Sequence, residues 1–217
     1  MTTTAVVDRP SARFFTQPAF LSLSIISVVA FGFFYSYVTR YFTFNQTIFG
    51  PYLWPRRWPI LLHVSAGSVA LLIGPAQVWL GLTYAKPEWH RRLGLVYIAS
   101  VLTSSVAAVY LLTYTGLGLG FQSGIGGLAI AWLVTTGLAF VAIRRGLIEQ
   151  HREWMIRSYV VTTGFITFRV MMDVLTAFQV GTSPGERRGV AAWSCWAAPL
   201  LITEAIIQGR KIRRRTP

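Results

Sequence analysis

One cysteine, three histidines and seven acidic residues are all that 217 positions hold of those types. Each scarcity excludes a class. The lone Cys195 rules out a disulfide scaffold, and without any C-x-x-C pair there is no zinc ribbon or thioredoxin-like site. With only 12% charged residues and 53% hydrophobic ones, the chain is not a disordered polar segment. It carries no H-E-x-x-H, no G-x-S-x-G and no P-loop, so none of these hydrolytic motifs is present. What is abundant is apolar and aromatic surface: 14% aromatic residues and a mean hydropathy of +0.52 are bilayer composition.

The net charge of +13, from 20 Lys and Arg against 7 Asp and Glu, would suit nucleic acid if it formed a continuous patch. It does not. The basic residues fall in short clusters between long apolar runs: Arg9/Arg13, Arg56/Arg57, Lys86/Arg91/Arg92, Arg144/Arg145/Arg152/Arg157, Arg187/Arg188 and Arg210/Lys211/Arg213/Arg214/Arg215. That is the placement of membrane-end anchors, so the expected partner is the lipid bilayer and not nucleic acid.

A bilayer core of roughly 30 Å asks for about 20 apolar residues per helix. Six runs qualify, approximately 18–38, 59–82, 93–115, 125–143, 154–178 and 190–208. The fold expected is an all-α polytopic bundle of six transmembrane helices that fills the chain as one domain, with a tail after Gln208 too short to fold by itself. The first run exceeds a signal-peptide core and lacks a small-x-small cleavage site, so it is expected to remain as an anchor. Six crossings put both termini on one side. That side and its two connections collect 14 basic residues against five on the other, which places both termini in the cytoplasm. Tyr35, Tyr37, Tyr41, Phe42, Phe44, Tyr52, Trp54 and Trp58 form an interfacial belt at the outer edge, so residues 40–58 should lie along the surface. Gly124-Ile-Gly126-Gly-Leu-Ala129 fits a dinucleotide-binding pattern, but no strand precedes it and no acidic residue follows at the required distance. A tight turn with close helix packing explains it better.

The informative residues are polar ones inside or beside the spans. His90 and His151 each open a span on the cytoplasmic side and are each followed by arginine, in His90-Arg91-Arg92-Leu-Gly94 and His151-Arg152-Glu153-Trp154. Imidazole there can donate, accept or ligate, although an interfacial cap with a snorkelling arginine is an equal alternative. Helical projection puts His151, Met155, Ser158, Thr162, Arg169, Asp173 and Thr176 on one stripe of the fifth span, with Phe165 off it. On the second span His63, Gly67, Ala70, Gly74, Gln77 and Gly81 align as a small-residue groove that a partner helix or a flat ligand can approach. The third span repeats the pattern with His90, Gly94, Tyr97, Ser104 and Ala108. Arg169 and Asp173, four residues apart, are expected to pair with each other and to gather with His63 near the outer end, either as a functional site or as a structural ion pair. Glu204 is placed to join His90 and His151 at the inner end. Met155, Met171 and Met172 read as packing, and Cys195 as inert.

The residues Leu62-His63-Val-Ser-Ala-Gly67, Gly74-Pro75-Ala-Gln77, His90-Arg91-Arg92-Leu93-Gly94 and His151-Arg152-Glu153-Trp154-Met155-Ile156-Arg157-Ser158 resemble a family of predicted bacterial membrane proteins catalogued as domain of unknown function 2306. The resemblance runs from the second span to Arg169. It implies an integral protein of the bacterial inner membrane and supplies no activity. The His-Val-Ser helix, its Gln continuation and the following His-Arg-x-x-Gly helix are also similar to the transmembrane diheme b cytochromes that pass electrons from ascorbate to ferric iron. Those use four histidines on four helices, and this chain has three. What carries over is His90 with His151 as a same-side pair for one heme b, with Arg91, Arg92, Arg152 and Arg157 toward its propionates. His63 lacks a histidine partner on the fourth span, where Trp132, Thr135 and Thr136 are not usual axial ligands.

Three functions are therefore carried forward. The first is a heme-binding electron-transfer protein working with a quinone or a redox partner protein. The second is an ion- or proton-coupled transporter using the two polar clusters. The third is a structural or regulatory subunit whose small-residue faces take partner helices, oligomerisation included.

Overall fold

The computed structural model of the protein describes residues 17–181 and 183–215; the basic pair Arg9 and Arg13 lies outside them. Among the described residues there are helices and turns and no strand. The helices are α1 (Gln17–Phe33), α2 (Gln46–Leu53), α3 (Arg57–Thr83), α4 (Pro87–Leu112), α5 (Leu119–Arg144), α6 (Ile148–Thr162), α7 (Gly164–Ala177) and α8 (Pro184–Arg215). Five helical segments are long and apolar enough to cross a membrane. The α6–α7 pair, bent by 41°, makes a sixth when taken as one broken span. Large apolar side chains such as Val28, Phe31, Leu102, Val106 and Ile130 point outward, as they do in a chain whose solvent is lipid.

Two hairpins build the centre. Helix α3 turns into α4 over three residues, Tyr84–Lys86, with Tyr84 in the left-handed region closing α3 through its N–H to Leu80 O (3.1 Å) and Pro87 opening α4. Helix α5 turns into α6 over Arg145–Leu147, where Gly146 (φ 73°) takes the left-handed conformation and Leu147 N–H reaches back to Ala142 O (2.9 Å). Stacked together, α3 packs on α4, α4 on α5, α5 on α6, and α6 closes on α3. Helices α4 and α6 thus lie on a diagonal and meet through side chains in the core. Outside this four-helix square, α8 lies along α5, α6 and α7, and α1 lies against α3.

The expected fifth span is not one straight helix. It breaks at Thr163, whose hydroxyl bonds back to Val160 O (2.7 Å), and Gly164 follows in a spot where a Cβ would sit 3.0 Å from Leu128 Cδ1. Threonine back-bonding and a close-packed glycine are ordinary causes of a helix kink. The bend divides the expected polar stripe. His151, Ser158 and Thr162 turn into the square, whereas Arg169 and Asp173 turn toward α1, and Phe165, expected off the stripe, packs inside against His63 and Trp132.

Helix α8 passes through Pro199 unbroken and runs on to Arg215, so the tail expected to stay unstructured extends the last span. It is tied down by Lys211 Nζ to Glu153 Oε2 (2.7 Å) and Arg214 Nη1 to Glu149 Oε1 (3.6 Å). At the opposite end, α1 widens into a π-turn over Phe34–Val38 and tightens over Thr39–Thr43 before the short α2, which Asn45 caps through Thr47 N–H (3.0 Å). Phe49 of α2 is buried between Tyr41 and Trp54, so the aromatic segment packs on itself.

Close approach explains the glycine pattern of α5. A Cβ on Gly124 would lie 2.7 Å from Ala192 Cβ and 2.8 Å from the Ala192 backbone, so the Gly124–Ala129 run is the contact that lets α5 and α8 touch.

Candidate functional site

The two hairpins repeat one design at the end where their turns lie. In each, the second helix brings a histidine one turn in, and that residue bonds to the helix before it. Gln77, buried on α3, donates its amide to His90 O (3.0 Å), and His151 Nδ1 donates to Ala139 O on α5 (2.9 Å). The second bond fixes the His151 tautomer and leaves Nε2 as its acceptor nitrogen. His90 Nδ1 is buried without a hydrogen bond, an exception to the near-universal pairing of buried polar atoms. The two rings come from diagonal helices, with centroids 6.5 Å apart and planes at 88°. Two imidazoles bound on opposite sides of one metal atom, with metal–nitrogen bonds of about 2 Å, hold their ring centres roughly 6–6.5 Å apart. The ring spacing is that of two imidazoles sharing one metal atom.

The small-residue groove of α3 is already occupied by the chain itself. A Cβ on Gly67 would sit 2.7 Å from Phe165 Cζ, one on Gly74 would overlap the Tyr159 ring, and one on Gly81 would lie 3.2 Å from His90 Cε1. The flat guests anticipated for this groove are Phe165, Tyr159 and His90. Tyr159 is locked further by its hydroxyl donating to Leu71 O (3.1 Å).

Behind the histidines the centre of the square is a connected chain of hydroxyls. Tyr97 Oη lies 2.8 Å from both Ser158 Oγ and Thr162 Oγ1; Trp132 Nε1 donates to Thr162 Oγ1 (2.9 Å); Thr136 Oγ1 meets Ser158 Oγ at 2.7 Å. All five residues are buried. Every polar atom finds a partner within the network, so the group ties α4, α5 and α6 together at one register. Sequence projection placed Tyr97, Ser158 and Thr162 on inward faces but gave no sign that they would bond across the diagonal.

His63 stands at the far end of α3, and the structure does not bring it to Arg169 and Asp173. Its Nδ1 donates to Ser104 O (2.9 Å) and lies 3.0 Å from Ser104 Oγ, which itself bonds His63 O (3.0 Å); its ring packs against Phe165. Arg169 and Asp173 form no ion pair within 4.0 Å, contrary to expectation. Both are exposed from the square and line a cleft of about 210 Å³ against α1, with Arg169 stacked 5.6 Å from the Tyr37 ring that Arg40 approaches at 5.4 Å. The reason is the bend at Thr163, which rotates this half of the span out of the core. Asp173 is one turn from the end of α7 and Arg169 two, within snorkelling reach of the interface.

Glu204 does not join the histidine pair. Arg157 captures it, with Nε donating to Oε2 at 2.7 Å and Nη2 at 2.6 Å, while Gln208 donates to Oε1 (2.6 Å). Arg157 is itself 7% exposed, stacks 4.6 Å from the Trp154 ring and has Glu153 beside it (Nη1 to Oε2, 3.7 Å). It is consequently not free for a heme propionate, whereas Arg91, Arg92 and Arg152 are exposed at the same end. The importance of Arg157 was hidden in a cluster that reads as membrane anchors. The signals were its Glu153 partner four residues earlier and the α8 face of Glu204, Gln208 and Lys211, whose one acid needs a cation.

A lipid-facing helical bundle with diagonal histidines at one end defines the class: a polytopic α-helical membrane protein. The chain belongs to the family of predicted membrane proteins DUF2306, whose model matches residues 60–207, from the first turns of α3 deep into α8. No curated protein and no solved structure matches the chain.

Proposed function

We propose that the protein is a redox component of the bacterial inner membrane, with both termini in the cytoplasm, whose electron carrier is one b-type heme held by His90 and His151. The observation that carries this reading is the juxtaposition of two imidazoles from diagonal helices at a separation suited to a shared metal atom, with His90 Nδ1 unbonded and His151 Nε2 left over. A heme held there supplies one-electron transfer at a potential set by its ligands and burial. The protein's own contribution is positional. Ala139 O orients the His151 ring, Gln77 braces the backbone of His90, and Gly81 leaves space for the His90 ring. Exposed Arg91, Arg92 and Arg152 are placed to neutralise carboxylates at the membrane edge. Absorption spectra of protein purified in detergent after expression with heme precursor test the reading. We expect a Soret band, with α and β bands appearing on dithionite reduction; a folded, colourless protein that takes up no heme on reconstitution overturns it.

One observation favours a second reading, proton movement. The chain Thr136–Ser158–Tyr97–Thr162 is contiguous at 2.7–2.8 Å between neighbours. If it conducts, Tyr97→Phe in liposomes lowers the pH-gradient-driven proton flux while the protein stays folded, at a stability cost of about 0.5–1.5 kcal/mol per lost hydrogen bond, since Ser158 keeps Thr136 and Thr162 keeps Trp132. Flux equal to that of the wild type removes this reading.

A further inference from the structure

One cleft lies away from the histidines. It opens between α6 and α8, has a volume of about 660 Å³, and combines Arg157, Glu153, Glu204 and Lys211 with an apolar wall of Trp196, Leu200 and Leu201. That volume falls in the range of about 300–1,000 Å³ common for small-molecule sites. Three features narrow what enters it. First, Glu204 holds Arg157 Nε and Nη2, whereas Nη1 is buried in the wall of the cleft with no hydrogen bond, the nearest carboxylate oxygen, Glu153 Oε2, standing off at 3.7 Å. Second, the two cations are balanced by two carboxylates, so a phosphate or carboxylate head placed here meets Glu153 and Glu204 at close range. A neutral acceptor oxygen avoids that repulsion. Third, Leu201 beside the cleft is 71% exposed on the lipid-facing side of α8, which gives an apolar ligand an entrance from the bilayer.

We infer that this cleft binds a lipid-soluble quinone, with a ring carbonyl accepting from Arg157 Nη1 and the ring lying on the apolar wall of α8. As the electron partner of the protein, the quinone rests on the redox reading above, but its binding does not. The Glu204 and Glu153 carboxylates hold the guanidinium in place, and Lys211 reaches Glu153 from the end of α8 so that the acid is not left to repel the ligand.

Photolabelling with a short-chain azidoquinone, read by mass spectrometry of the full-length protein in detergent, tests the site. The expected result is label within residues 150–157 and 196–211, removed by excess decyl-benzoquinone and retained in excess short-chain phosphatidylglycerol. Filling the apolar half with Ala197→Phe should weaken labelling roughly tenfold or more. The charge-neutral double variant Arg157→Gln/Glu204→Gln, which removes the donor without stranding a carboxylate, should do the same. Label spread evenly over the other spans, label displaced by phosphatidylglycerol, or label indifferent to both variants overturns the inference. The measurement is made on heme-free and heme-supplied protein alike. Labelling at these peptides in a protein that never binds heme keeps the site and removes the redox reading. Heme binding without such labelling does the reverse.

Discussion

We expect His90→Ala and His151→Ala each to abolish the Soret band, with heme content falling roughly tenfold or more, while His63→Ala leaves it intact. The asymmetry follows from geometry. His90 and His151 are the two imidazoles whose rings approach each other, and either alone provides only one side of an axial pair. His63 is committed at the other end of the bundle, with Nδ1 bonded to Ser104 and its ring against Phe165. An intermediate variant separates ligation from collapse of the fold. In Gly81→Val the new Cβ would sit 3.2 Å from His90 Cε1, with two methyls beyond it, so the ring must move although the ligand atom is still present. Heme content should fall while the helical signal and monodispersity remain, since α3 is otherwise undisturbed. Loss of the band in His63→Ala but not in His151→Ala would contradict the assignment of the pair.

Gly124→Leu should be strongly damaging. A Cβ there would meet Ala192 Cβ at 2.7 Å, Ala192 C at 2.8 Å and Trp193 N at 3.0 Å, and two of those atoms are backbone. Nothing flexible can give way, so α5 and α8 must separate. Overpacking of this kind costs about 1–3 kcal/mol, occasionally more, and the contact also sets Trp196, whose indole donates to Gly124 O (3.0 Å). The expected readout is a fall of several degrees or more in the thermal midpoint in detergent and a loss of monodisperse protein. Gly126→Ala makes the control. Its Cβ would come no closer than 3.8 Å to Leu112 Cδ1, and it should behave as wild type. Equal behaviour of the two variants would show that the α5–α8 approach does not carry the stability assigned to it.

Much of this molecule was legible in the chain. Five of the six apolar runs correspond to helices long and apolar enough to cross a membrane, and the remaining one to the bent α6–α7 pair, because hydrocarbon solvent demands about 20 apolar residues per crossing. Helical periodicity also put His151, Ser158 and Thr162 on one face correctly, as far as the helix stays straight.

Contacts between helices were decided elsewhere. Arg169 and Asp173 have the spacing of an ion pair, yet the kink at Thr163 turns them toward Tyr37 and α1, and a 41° bend is not encoded in a 100° projection. Glu204 was free, from sequence, to meet any inner-end cation. That it takes Arg157 and not the histidines depends on α8 lying against α6, a matter of which faces fit, with Gly124 and Ala192 close enough to seat the helix. The α3 groove was read as space and proved to be filled by Phe165, Tyr159 and His90, because a glycine stripe specifies close approach but not what approaches. The sequence alone thus determined the solvent, the apolar runs and the positions of the rare polar groups along the chain, all set by local transfer energies and backbone geometry. The partners of those groups were settled only when side-chain shape and the bend in the fifth span chose one packing of the helices, since pairing energies act between residues far apart in the chain.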